Sequence, residues 1–79
     1  MPNPPLPPLT QTRKGRYRHY KGGQYQVIAT VRHSETLEPM TMYRALYGNH
    51  GLWVRPAAMF TEDIWFNGVY QPRFTWISD

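Results

Sequence analysis

The 79-residue chain has no cysteine. A disulfide framework and a thiolate metal site are therefore both excluded, and stability must come from packing alone, as suits a reducing cytoplasm. Long apolar runs are also missing. None approaches the roughly 18 residues that a membrane span needs, and the first residues lack the apolar stretch of a secretory signal, so a soluble cytoplasmic protein without membrane contact is expected. Histidines stand only at positions 19, 33 and 50, with no two at ligand spacing, which argues against a metal site. A chain this short forms one domain that buries only about 60% of its unfolded surface, leaving little room for a large catalytic cleft or an enclosed cofactor.

Acid is scarce too. Five carboxylates face nine Lys and Arg side chains, for a net charge of +4. The excess is uneven: Arg13, Lys14, Arg16, Arg18 and Lys21 fall within nine residues. Interleaved with Tyr17, His19 and Tyr20, they suit phosphate contact and base stacking, and equally a solvated strand face.

Residues 1–12, MPNPPLPPLTQT, hold five of the eight prolines and no charged side chain. Proline fixes its own backbone angle and restricts the residue before it, so residues 1–14 are read as a disordered, proline-rich arm ahead of a domain over 15–79. PPLPPL also has the spacing that aromatic grooves recognise in proline-rich ligands.

From Gly15 onward the pattern becomes short β-type runs divided by glycine turns. Tyr25, Val27, Ala29 and Val31 alternate with polar neighbours, the period of a half-buried strand, and only Ile28 breaks it. A three-residue Lys21-Gly22-Gly23 loop sets Tyr17 opposite Val27, leaving Arg16, Arg18 and the glutamines outside. A second hairpin, counted symmetrically outward from Asn49-His50, pairs Arg44 with Arg55 and Leu46 with Trp53. It groups Tyr43, Ala45, Tyr47, Leu52 and Val54 on one face. A third turns at Asn67-Gly68 and pairs Phe66 with Val69 and Trp65 with Tyr70, with Pro72 placing its returning strand at an edge. Between them, PAAMFTED predicts one helical turn with Met59 and Phe60 inward. The whole reads as all-β: a small, partly open barrel of five to six antiparallel strands with one short helical turn, its interior filled by side chains and its binding surfaces outside or at the rim.

The motifs GRYRHYKGGQYQV, VRHSET, YRALYG and GLWVRP, followed by MF and an acidic pair, come in an order that resembles the small bacterial proteins grouped as domain-of-unknown-function family 1653. Val31 stands where that pattern has alanine. The resemblance spans Gly15 to about Ile77 and implies a compact, mainly β domain of the bacterial cytoplasm, similar to an SH3-like barrel; it carries no established activity.

VRHSET looks like hydrolase vocabulary, but neighbours on an extended chain point to opposite sides, so His33 is poorly placed to activate Ser34. No oxyanion motif accompanies them, and no catalytic residue is assigned. The plain alternative is a loop whose Ser34 and Thr36 hydroxyls bond nearby backbone. Arg44 and Arg55, if opposed across a ladder, create a demand for negative charge that either Glu35 or an external anion must meet. The resulting expectation is a noncatalytic binding module for an anionic partner, either nucleic acid or an acidic or proline-rich protein segment. Its contacts would be Arg44, Trp53 and Arg55, rimmed by His33, Ser34, Glu35, Thr36, His19 and Lys21. A domain binding a nucleotide or other small metabolite, or an accessory domain of an enzyme, is the alternative class.

Overall fold

The computed structural model describes Leu6 and residues 8–79; most of the proline-rich stretch therefore lies outside the described residues. Seven strands and one helical turn follow in order: β1 (Gly15–His19), β2 (Gln24–Arg32), β3 (Pro39–Ala45), β4 (Leu52–Pro56), α1 (Ala57–Phe60), β5 (Asp63–Phe66), β6 (Val69–Pro72) and β7 (Phe74–Ser78). Five form one antiparallel sheet in the order β4-β3-β2-β1-β7, while β5 and β6 pair separately. The chain is all-β, a small, partly open barrel.

The count exceeds the expected five to six because the last returning strand divides at Arg73. There the Arg73 amide donates to the Glu62 carbonyl (3.0 Å) and the Arg73 carbonyl accepts from Tyr20 N–H (3.0 Å). The guanidinium meanwhile closes on Glu62 Oε1 at 2.6 Å. This pivot sends β7 away from its hairpin to pair with β1.

The three hairpins differ in how well turn chemistry sets register. At Asn67-Gly68 both residues take positive φ (52° and 74°), the pair a two-residue turn of this kind requires, and Phe66 faces Val69 and Trp65 faces Tyr70 as expected. The first hairpin keeps a three-residue loop but starts it one residue earlier, at Tyr20-Lys21-Gly22. His19 N–H donates to Gly23 O, Gly22 N–H donates to His19 O, and Gly22 takes the left-handed position (φ 107°). Tyr17 then faces Tyr25 rather than Val27, a two-residue slip that leaves each side chain on its expected face.

The second hairpin departs further. Its tip is a five-residue loop, 46–50, closed by Ala45 N–H to Gly51 O and by a turn in which His50 N–H donates to Tyr47 O. Gly48 and His50 both have positive φ. The register shifts by an odd number of residues: Arg44 faces Leu52, Tyr43 faces Trp53 and Thr41 faces Arg55. An odd slip exchanges faces, so Trp53 and Arg55 join the inner side with Tyr43, while Leu52 and Val54 turn outward and stay more than half exposed.

The break in alternation at Ile28 is a bulge between Val27 and Ala29 in the β2–β3 ladder. It flips the rest of β2, so Thr30 is buried and Val31 is exposed, against the simple period-two expectation. The core is aromatic. Phe60 and Phe74 stack at 4.0 Å, and Tyr17 and Tyr43 pack against Phe60 at 5.2 and 5.5 Å. Val27 and Phe60 are each 1% exposed. From α1 only Phe60 points inward; Met59 is exposed.

The arm boundary also moves. Thr12 is buried, its N–H donating to Thr30 Oγ1 (2.8 Å) and its hydroxyl bonding that of Thr41 (2.8 Å). Gln11 Oε1 accepts from Thr30 N–H, and the carbonyls of Arg13 and Lys14 accept from Tyr17 OH and Trp76 Nε1. Residues 11–14 thus lie as a strap on the barrel: the bulge turns Thr30 inward and the alternation of β3 places Thr41 there, and both buried hydroxyls need polar partners.

Candidate anion-binding recess at the barrel seam

The open side of the barrel lies between its edge strands, β4 and β7. Arg55, from β4, reaches across it, its guanidinium carbon 5.7 Å from the centre of the Phe74 ring of β7. Tyr25 and His19 stand beside Phe74, with ring centres 5.7 and 4.9 Å away. Trp53, two residues before Arg55 on the same side of β4, is 60% exposed at the rim. Tyr47 reaches in from the hairpin tip and shares a 2.8 Å hydroxyl hydrogen bond with Tyr25.

This side of the seam gathers positive charge and one unpartnered donor. Arg55 Nε is shut off from solvent with no acceptor; burying a donor in this way is costly unless something accepts from it. The described ion pair joins Arg73 to Glu62, and no carboxylate among the described residues lies within ion-pair distance of Arg55. Burial, and then the charges of Arg55, Arg73 and Lys21, hold the His19 imidazole below its ordinary range. His19 Nδ1 accepts from Lys21 N–H at 3.2 Å, so the neutral ring carries its proton on Nε2, a second donor. Burial, followed by the hydrogen bond with Tyr47, pushes Tyr25 up to about 12, keeping it a neutral hydroxyl at physiological pH.

Of the residues expected to form a site, the structure brings Trp53, Arg55 and His19 to one side and separates the others. Arg44 lies on the outer face, with Nη1 donating to His50 O at 2.9 Å; the opposed arginine pair does not form, because the longer loop shifts the register. Lys21 sits exposed in the first turn, its ammonium 5.7 Å over the Tyr20 ring. His33, Ser34, Glu35 and Thr36 occupy the β2–β3 loop. Arg55 stands level with Thr41 and Thr30, three residues short of His33, but Arg44 is on the opposite face, and among the described residues Glu35 forms no ion pair with either arginine. That loop bonds to itself: His33 Nδ1 accepts from the amides of Glu35 and Thr36, and Thr36 Oγ1 accepts from Glu38 N–H. An imidazole nitrogen so engaged does not act as base toward Ser34.

Sequence reasoning missed Tyr47 and Phe74 as site components. Tyr47 enters through the five-residue loop, and Phe74 through the division at Arg73; the Gly48–Gly51 spacing and the Glu62–Arg73 pairing were the available signals. A separate cleft of about 190 Å³ lies between the strap and α1, lined by Thr10, Gln11, Thr12, Pro39, Ala57, Ala58 and Thr61; no charged side chain lines it. Among the described residues, no three His, Asp or Glu side chains are grouped to hold a metal, and no helix is long and apolar enough to cross a membrane.

A small, partly open β-barrel with an aromatic, basic seam is the class that fold and site define. The chain matches the family described as "Protein of unknown function (DUF1653)" over residues 15–76 and belongs to it. It is similar to the crystal structure of a DUF1653 protein from Bordetella bronchiseptica, at 33% identity and a TM-score of 0.79 over 85% of this chain and 88% of that one. No curated protein matches.

Proposed function

We propose that this chain is a noncatalytic binding domain that takes an anionic group at Arg55. The observation that carries the reading is the Arg55 Nε, buried without an acceptor in a recess with no neutralising carboxylate among the described residues. A phosphate there accepts from Arg55 and from His19 Nε2, charge-assisted bonds stronger than neutral ones. The exposed rings of Trp53 and Tyr47 favour a single-stranded nucleic acid over an acidic peptide, since bases stack on such rings with little regard to sequence.

Titration of tryptophan fluorescence with short oligonucleotides tests this. Quenching that weakens with added salt, and that is lost in Arg55→Met and Trp53→Ala, is expected. Quenching by a poly-glutamate peptide but not by oligonucleotides would assign the recess to an acidic protein segment. A response to mononucleotides alone would favour the small-molecule alternative.

A further inference from the structure

We propose that the outer face of the five-stranded sheet is a self-association surface, and that its occupant is a second copy of this chain. The inference is independent of the recess, which opens on the other side of the sheet.

The slipped register of the second hairpin leaves an apolar band facing solvent. Across the strands, Ala29 is followed by Met42 and Val54, and Val31 by Met40 and Pro56. Leu52 and Val54 are 53% and 55% exposed, although the register expected from a short turn would have placed both inside. A fold that turns two aliphatic side chains outward and an arginine inward has left apolar surface for something else to cover.

The two ends of the band carry opposite charge. Toward the first turn the outer face presents Arg16, Arg18 and Arg44, set among Gln24 and Gln26 in directly paired positions. Beyond the other end lies the β2–β3 loop with Glu35 and Glu38, both exposed, beside Arg32 at the end of β2, so that this end is acidic by one net charge. A face that runs from basic through apolar to acidic is complementary to itself. A two-fold axis through the Met42 region stacks two copies face to face, apolar band on apolar band, with each copy's arginines over its partner's glutamates; this is the isologous arrangement that closed dimers use. A nucleic acid fits less well, because the acidic loop repels it and this face offers no aromatic ring.

Five strands about 4.8 Å apart, of five to nine residues each and so on average about 20 Å long, give a face on the order of 500 Å². This is below the roughly 800 Å² per partner of a standard stable interface, so the dimer is reversible rather than obligate.

Sedimentation of the full chain from about 1 µM to about 1 mM is the test, read against thermal melts. The expected result is a mass that rises from monomer toward dimer across that span, as a sub-standard interface implies. Val54→Glu should hold the chain monomeric throughout with an unchanged melt, because the side chain is exposed. Arg18→Glu should weaken association at least about tenfold, and adding Glu38→Arg should restore most of the loss. A monomer at every concentration overturns the proposal. So does a dimer indifferent to Val54→Glu and Arg18→Glu, the pattern expected if copies join through the open backbone edge of β4, since Arg18 lies on β1, three strands away.

Discussion

Replacing Arg55 with methionine keeps the long stem that fills the seam and removes only the guanidinium. Two effects then oppose each other. Removing the buried Nε–H, which has no acceptor, relieves a penalty of about 1–3 kcal/mol. Removing the cation over Phe74, 5.7 Å from the ring centre, forfeits about 0.5–1 kcal/mol. The first effect is the larger, so Arg55→Met is expected to be neutral or stabilising by up to about 2 kcal/mol. For a domain of this size each kcal/mol moves the midpoint by about 4–8 °C. Melts followed by near-ultraviolet circular dichroism, which the core aromatics supply, should show a midpoint unchanged or raised by up to roughly 10 °C, while oligonucleotide quenching disappears. Stability that rises as binding falls marks a group retained for a ligand. A midpoint lowered by more than about 5 °C refutes the reasoning, since it would mean that the fold itself satisfies the guanidinium and that no ligand is needed to explain it.

Further outcomes follow from the same contacts. His19 has a folded pKa held below its ordinary value, chiefly by burial, so the unfolded chain binds its proton first. Stability therefore falls as pH drops from about 7 through the unfolded value of about 6.5 and levels off below the folded one; urea melts at pH 7.5 and 5.5 should show a smaller acid loss in His19→Asn, and equal losses would remove His19 from the account. An anion in the recess offsets the surrounding positive charge and raises the same pKa, so oligonucleotide binding should take up protons near neutral pH. Thr12→Val strands the Thr41 hydroxyl, which is 0% exposed and bonded to Thr12 at 2.8 Å; the expected cost is about 1–3 kcal/mol in denaturant melts, whereas no loss would mean that the strap adds nothing to the domain. Gly15 has φ 136°, and a Cβ there would lie 2.5 Å from Ser78 O and 2.6 Å from Trp76 Nε1. Gly15→Ala should consequently cost more than the roughly 0.4–1 kcal/mol that the same exchange gains where the backbone permits it and loosen β7 first, read as faster amide exchange at Phe74–Ser78 than in β3; uniform exchange would count against that local reading.

Much of the fold was legible because its turns are chemically specific. Asn67-Gly68 set the third hairpin to the residue, and Gly22 set the length of the first loop. Ile28 broke the alternation of β2 where the bulge lies, although the sequence pattern could not show that everything after it would change faces. The second hairpin was misread because two glycines flanking Asn49-His50 suit both a short turn and the wider five-residue loop; only the packing of Thr41, Tyr43 and Ala45 into the core decides between them. That one ambiguity accounts for the mistaken Arg44–Arg55 pair. The candidate site was legible in its residue types, with Arg55, Trp53 and His19 among those selected. It was not legible in its assembly, since Phe74 arrives from the far end of the chain through the Arg73–Glu62 pivot, and no local pattern encodes the approach of β4 to β7 across the seam. His33 and Thr36 illustrate the opposite case, reactive residue types whose side chains accept backbone N–H groups and hold a loop.

The central claim is that the Arg55 Nε–H awaits an anionic acceptor. Its proton resonance, resolved by nitrogen-15 labelling and assigned by its loss in Arg55→Met, is the most direct probe. Titration with a short single-stranded oligonucleotide should move that resonance downfield and slow its exchange with water, with His19 shifting in step. A resonance that stays in place while those of Arg16, Arg18 and Arg44 move would show that the anion binds elsewhere and contradict the account.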